Sequence, residues 1–294
     1  MAKNKRLHQD NEAYLMISPY YCFLAIFILL PILINIFLSF TNYDMSTMIF
    51  VGFSNYKRMF TDPNLKASLI NTFVYTIATL IFTLSIGLFT AIALIKVSKG
   101  TRFFRTLIFM PYVVSMASAS MIWLWMYDPG YGFFNSILDV LNISRSNWVY
   151  DVNLALGCVV AVTLWKFLGY NMVIFTSGLL SIPGQLYEAA TIDGANSFQR
   201  LLYVTLPMLR PTTFFLMVTG FINNFNVFEQ VNILTRGGPM NATTTIMHQV
   251  YTRAFVDYKM GYASAITVLL IIIVSIITML NFRYGSQGQD LDLS

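Results

Sequence analysis

The side chains that most often carry chemistry are few in this sequence and poorly placed for it. The two histidines, His8 and His248, stand far apart without metal-ligand spacing, and no catalytic dyad suggests itself. The two cysteines, Cys22 and Cys158, each lie inside an apolar run, which argues against a disulfide framework. No G-x-x-x-x-G-K-S/T run is present to cradle nucleotide phosphates. The candidate sets for catalysis and for metal ligation are therefore empty. What remains is a set of polar side chains embedded in apolar sequence. Asn223, Asn224, Asn226, Glu229 and Gln230 alternate with Phe221, Phe225 and Phe228, and upstream stand Trp165, Lys166, Tyr170 and Asn171. Ring faces beside amide donors suit a solute with alternating apolar and hydroxyl surfaces, such as a sugar. The alternative use of the same residues is hydrogen bonding between helices. Lys166 can also snorkel or pair with an acid.

The elements that hold these residues follow from composition. Of 294 residues, 56% are hydrophobic and only 11% are charged, against about 25% charged in a soluble domain. So few charges cannot solvate a globule of this size, but they suffice if lipid is the main solvent. The net charge of +5 sits between the apolar runs, which favours a membrane surface over nucleic acid as its partner. Six segments are long and apolar enough to span: 14–40, 69–95, 103–127, 154–180, 212–234 and 262–282. The first follows Lys3, Lys5 and Arg6 as a signal peptide would. It is longer than an ordinary signal core and has no small-residue cleavage site, so it is expected to be retained. Pro19 and Pro31 should bend it or mark its ends. Residues 54–60 are expected to form a short interfacial helix, with Asp62-Pro63 a turn.

Loop charges orient the chain. The loop 96–105 carries Lys96, Lys99, Arg102 and Arg105 without an acid, as cytoplasmic loops do. The next loop sets Asp128, Asp139 and Asp151 against Arg145, which suits the outside. Both termini are then expected in the cytoplasm. Lys57, Arg58 and Lys66 run against this pattern.

The stretch 181–207, between the fourth and fifth segments, is the most structured of the loops. Pro183 can open a helix, since a missing N–H costs nothing in the first turn. Residues 185–192 favour helix, and Asp193-Gly194 stops it, because glycine accepts the left-handed conformation. Asn196 can cap a second helix with Gln199 three residues on. Two short helices at a sharp angle, with small residues Ala189, Ala190 and Gly194, would let another protein approach closely and would transmit a push to the spans. An ordinary interfacial loop is the plainer alternative.

This stretch resembles the EAA loop of ABC importer permeases: Glu188-Ala189-Ala190, then Gly194, a hydrophobic Val204 where the pattern favours isoleucine, and Leu206-Pro207. Further pieces resemble the carbohydrate branch of that family. They are Ser18-Pro19, Ser39-Phe40-Thr41, Gly52 through Tyr56, Asn71-Thr72, Leu234 through Pro239, Thr243–Thr245, Tyr251, Ala254-Phe255 and Gly261 through Ala265. Together they favour the maltose and glycerol-phosphate importer type in its first-permease form, closer to the simpler lactose-like kind.

The resemblance implies an all-α membrane protein of the type I ABC importer permease fold. A cytoplasmic tail 1–13 would precede a permease domain 14–283, and a second tail 284–294 would follow. It implies a non-enzymatic subunit of an ATP-driven sugar or oligosaccharide importer in a bacterial-type cytoplasmic membrane. Its partners would be a second homologous permease, two ATP-binding subunits holding ATP and Mg, and an extracytoplasmic solute-binding protein, with no cofactor on this chain and no nucleic acid. Glu188, Ala189, Ala190, Asp193, Gly194, Leu206 and Pro207 would couple to the ATPase. Glu188 would make a polar contact there and Gly194 would permit the bend. The solute-path candidates are Trp165, Tyr170, Asn171, Asn223, Asn224, Asn226, Phe228 and Glu229. The Gly237-Gly238-Pro239 run would be a turn or a surface met by a partner. An amino-acid or peptide permease is the nearest alternative. An ion-coupled secondary transporter would want more acids at membrane depth, where Glu229 is the nearest.

Overall fold

The computed structural model describes residues 14, 16–97 and 100–285. The expected N-terminal tail with His8, and Lys99 of the basic loop, lie outside the described residues, as do 286–294 of the expected C-terminal tail. Among the described residues the regular elements are helices, with one isolated bridge between Thr41 and Phe50. Four helices are long and apolar enough to cross a membrane, or six if each of two bent pairs counts as one span. The chain divides into two compact units, one of Met1–Thr61 with Val250–Leu269, the other of Asp62–Gln249 with Leu270–Ser294.

In the first unit, α1 (Met16–Ser39) is a single helix of mean hydropathy 2.7. The prolines do not break it. Pro19 lies near its start, where a missing donor costs little. Ahead of Pro31 the backbone widens into a π turn, Ala25–Leu29, a form of bulge that helices tolerate locally. The end of α1 is held by α2 (Ser54–Met59). Asn55 donates its amide to the carbonyls of Ser39 (2.9 Å) and Thr41 (2.8 Å), and Ser39 Oγ hydrogen-bonds the Tyr56 hydroxyl at 2.7 Å. Gly261, where α12 (Met260–Gly285) begins, passes so near the backbone of Thr41 that a Cβ there would collide with it. The Arg58 guanidinium lies 4.3 Å from the ring centre of Tyr262. The scattered pieces Ser39-Phe40-Thr41, Asn55-Tyr56 and Gly261-Tyr262 thus form one corner.

The second unit is built on α3 (Pro63–Ile95). Asp62 caps it, accepting from the backbone of Asn64 and Leu65, so Asp62-Pro63 is a helix start and not the expected turn. With 33 residues, α3 is about 50 Å long, more than a bilayer core needs. It packs along α7 (Ala155–Leu180). Small residues set the approach: a Cβ on Gly87 would lie 2.8 Å from the Asn171 Cβ, and one on Gly169 would lie 2.6 Å from the Phe109 Cα.

Two expected spans are not continuous. The segment 103–127 is α4 (Thr101–Val113) and α5 (Met116–Met126), bent by 97°. Pro111 removes a donor near the end of α4, and Val114 and Ser115 are extended. The segment 212–234 breaks as well. After α6 (Phe133–Val140), the loop helix α8 (Gly184–Ile192) and α9 (Ser197–Met208), the chain bends by 64° at Leu209 into α10 (Arg210–Phe225). There α10 stops, and α11 (Glu229–Leu234) is separate. Asn226 turns its amide back onto the Ile222 carbonyl at 2.7 Å, the competition with the helix ladder that asparagine favours. Gln230 of α11 donates to the buried Tyr75 hydroxyl of α3 (3.0 Å), which in turn hydrogen-bonds Thr163 of α7 at 2.8 Å. The polar residues here join helices.

Gly237-Gly238-Pro239 sits in a loop hydrogen-bonded to the threonines that follow it, with Met240 beside it exposed. Thr243, Thr244 and Thr245 are buried, with Thr243 bonded to the Gly238 carbonyl (2.8 Å) and Thr244 to that of Gly237 (2.9 Å). Asn71 on α3 donates to the carbonyls of Asn241 and Thr244, and Thr72 accepts from the backbone of Ile246. The segment is braced against α3.

Candidate solute path and coupling loop

A cavity of about 90 Å³ lies among α3, α4, α7 and α10. Four of the candidates line it: Tyr170 and Asn171 from α7, Asn223 and Asn224 from α10. The neighbouring residues Thr79, Thr83, Tyr112 and Thr219 complete its polar wall, and no local signal singles them out. Isolated threonines at helical spacing read as interior, and Tyr112 belongs to a segment expected to run straight. In the bent chain the rings of Tyr112 and Tyr170 stack with centroids 5.1 Å apart and planes at 20°. The result is a flat aromatic surface beside three amides and three hydroxyls. Ligand pockets usually measure roughly 300–1,000 Å³, so this is a constriction and not a complete binding site.

The other four candidates lie elsewhere. Trp165 packs edge-on against Trp123 at 5.7 Å. Asn226 is spent on its own helix. Phe228 stacks near His248, with ring centres 6.4 Å apart. Glu229 opens α11, within electrostatic reach of Lys166.

Lys166 neither snorkels nor forms a close ion pair. Only 7% exposed, it donates to the Tyr112 carbonyl (3.1 Å) and to that of Val114, the open carbonyl end left where α4 breaks from α5. A cation at a helix C-terminus satisfies orphan acceptors and complements the dipole. Helix α7 thereby pins the bend that sets Tyr112 beside Tyr170.

The loop 181–207 forms the two helices expected of it. Pro183 is the residue before α8, and the helix ends at Asp193. Gly194 takes φ +76°, a left-handed turn that costs other residues about 1–2 kcal/mol. No atom lies within 4 Å of where its Cβ would be, so the backbone turn, and not close approach within the chain, requires glycine here. Asn196 accepts from the Gln199 backbone (2.9 Å) and Gln199 accepts from that of Asn196 (2.8 Å), a complete capping box. The Tyr187 hydroxyl meets Thr205 Oγ1 at 3.0 Å, tying α8 to α9. No residue of α8 is buried: Glu188, Ala189 and Asp193 are exposed, and Ile192 is 86% exposed. Leu206 and Pro207 lie near the end of α9, ahead of the 64° bend into α10. An uncovered helix, tied to α9 by the Tyr187–Thr205 hydrogen bond, is thus joined through α9 to a membrane segment.

A family model described as binding-protein-dependent transport system inner membrane component matches residues 83–286. An sn-glycerol-3-phosphate transport system permease protein, UgpA, of Brucella suis biovar 1 is 35% identical over 92% of this chain and 93% of its own length. A probable ABC transporter permease protein, YesP, of Bacillus subtilis is 36% identical over 97% of this chain and 94% of its own. Among solved structures, a chain of a bacterial ABC transporter involved in import of the acidic polysaccharide alginate superposes with a TM-score of 0.86. The match covers 98% of this chain and 99% of that one at 21% identity, and it establishes the shared fold.

Proposed function

The chain belongs to the binding-protein-dependent transport system inner membrane component family, and from that membership we propose that it carries a sugar or oligosaccharide through a path that includes the Tyr112–Tyr170 cavity. It is a multi-pass permease subunit of an ABC importer and not an enzyme. The observation that carries the solute reading is the stacked tyrosine pair beside Asn171, Asn223 and Asn224. Ring faces take the apolar faces of a pyranose, and amides take its hydroxyls. A second homologous permease would supply the opposite wall and the width this cavity lacks. The glycerol-phosphate relative makes a phosphorylated polyol the nearest rival.

ATP and Mg are held by two separate ATPase subunits in this reading, and α8 docks on one of them. Glu188 supplies a polar contact, Ala189 and Ala190 the close approach, and the Asp193-Gly194 turn fixes the angle to α9. Leu206 and Pro207 carry the push into α10. An extracytoplasmic binding protein delivers solute at the other face. Both termini and the tails 1–13 and 284–294 then lie in the cytoplasm, flanking the permease domain 14–283. The cycle is a two-state equilibrium biased by ATP at one end and the loaded binding protein at the other. Competition of uptake by a panel of sugars, polyol phosphates, amino acids and peptides tests the solute class. Competition by a saccharide supports the reading, and competition by peptides or amino acids alone removes it.

A further inference from the structure

A second cleft, of about 570 Å³, lies between the end of α3 and the coupling loop. Phe89 and Ile92 of α3, Leu179 of α7 and Phe198 of α9 give it apolar walls, and its two charged lining residues are Lys96 and Arg200. No acid lines it among the described residues. It is not part of the solute path. Ile92 follows Thr83 by 92 − 83 = 9 residues, about two and a half helical turns, so the two lie on opposite sides of α3. The walls are mainly apolar, and the two cations call for an anion. Among the described residues Arg200 makes long contacts, 3.3 Å to Thr191 Oγ1 and 3.3 Å to Ser197 Oγ, which a stronger acceptor can displace.

We propose that this cleft binds an anionic phospholipid, with the phosphate between Lys96 and Arg200 and an acyl chain along Phe89, Ile92 and Phe198. The inference rests on the reading of 181–207 as the cytoplasmic coupling loop. Charge complementarity chooses the headgroup, and the apolar face of a membrane helix chooses the chain. Each cation near an anionic membrane surface strengthens attraction about fivefold, so the pair is worth about 25-fold. Because the cleft joins α3 and α7 to Tyr187 and Arg200 of the loop, its lipid would brace α8 and α9 against the spans.

The test uses the co-purified importer in phosphatidylcholine nanodiscs doped with a photoactivatable phosphatidylglycerol or phosphatidylcholine, with adducts mapped by mass spectrometry. The phosphatidylglycerol probe is expected to label 89–96 and 197–205 preferentially. Labelling should fall about 25-fold in Lys96→Gln with Arg200→Gln, and return in Lys96→Arg with Arg200→Lys. Equal labelling by both probes, labelling that survives the glutamine pair, or cross-links from the cleft to the second permease would each overturn the lipid assignment. Co-purification of the ATPase, read on the same samples, fails independently if the importer reading is wrong.

Discussion

At Gly194 the sequence signal and the backbone agree: a turn after a helix calls for glycine, and φ is +76°. Surrounding space is open, so a substitution there strains the turn without clashing within the chain. Gly194→Asp is expected to leave the chain inserted but to abolish uptake, while the ATPase keeps hydrolysing. The ratio of uptake to hydrolysis in proteoliposomes reads this, and normal uptake would remove the docking role. At the cavity, Tyr170→Ala deletes one ring of a stacked pair worth about 0.5–1.5 kcal/mol to folding and removes a ring face offered to solute, so solute KM should rise and thermal stability fall modestly. Trp165→Ala, outside the cavity, should leave KM within error. Asp44 gives a pH marker. Its carboxylate accepts from Ser46 and Thr47, chiefly the Thr47 backbone at 2.7 Å, and these bonds lower its pKa to about 2. A depressed carboxylate pKa contributes order that persists above the ordinary value near 3.8 and is lost as pH falls through about 2. Amide exchange at Ser46 and Thr47 should therefore stay slow at pH 3 and quicken near 2. Four of the eight candidates share one cavity, and these stood out because polarity within an apolar run is a local signal. Tyr112 was not, because its place depends on a bend two residues beyond it.

Breaks in helices are where a sequence reading by hydropathy falters. The windows 103–127 and 212–234 read as spans in the sequence, whereas the apolar helix pairs are Thr101–Val113 with Met116–Met126 and Ser197–Met208 with Arg210–Phe225; hydropathy cannot register that Pro111 or Asn226 interrupts the ladder. The hairpin of Gly194, Asn196 and Gln199 was legible because caps are local chemistry. Lys166 illustrates the opposite case. Its partners are carbonyls of a break 54 residues earlier in the chain, which nothing in the sequence marks. Lys166→Met should leave the carbonyls of Tyr112 and Val114 without their donor, at about 1–3 kcal/mol for each buried group. The expected outcome is a lower unfolding temperature in detergent and weaker solute affinity, both recovered in part by Lys166→Arg. An unchanged affinity in a destabilised Lys166→Met would mean that the bend does not set the tyrosine pair.

As a whole, the molecule presents surfaces that a lone chain has no reason to keep. The described part of α1 is nearly all uncovered, α8 buries nothing, and the cavity beside Tyr112 and Tyr170 is smaller than ligand pockets usually are. Lipid, an ATPase groove and a second permease would each complete one of them. The six-segment reading captured this architecture because apolar length is encoded locally. The corner joining Ser39, Asn55 and Gly261 needs contacts over long separations, and it entered only as unexplained fragments of a resemblance. Gentle purification of the tagged chain from its native membrane, followed by reconstitution and ATP-driven uptake, tests whether the chain works as one part of such an assembly. The account predicts a second six-span permease and a Walker-type ATPase in the preparation, with uptake that requires ATP. A chain that emerges alone or as a homodimer and still moves solute down an ion gradient would contradict it.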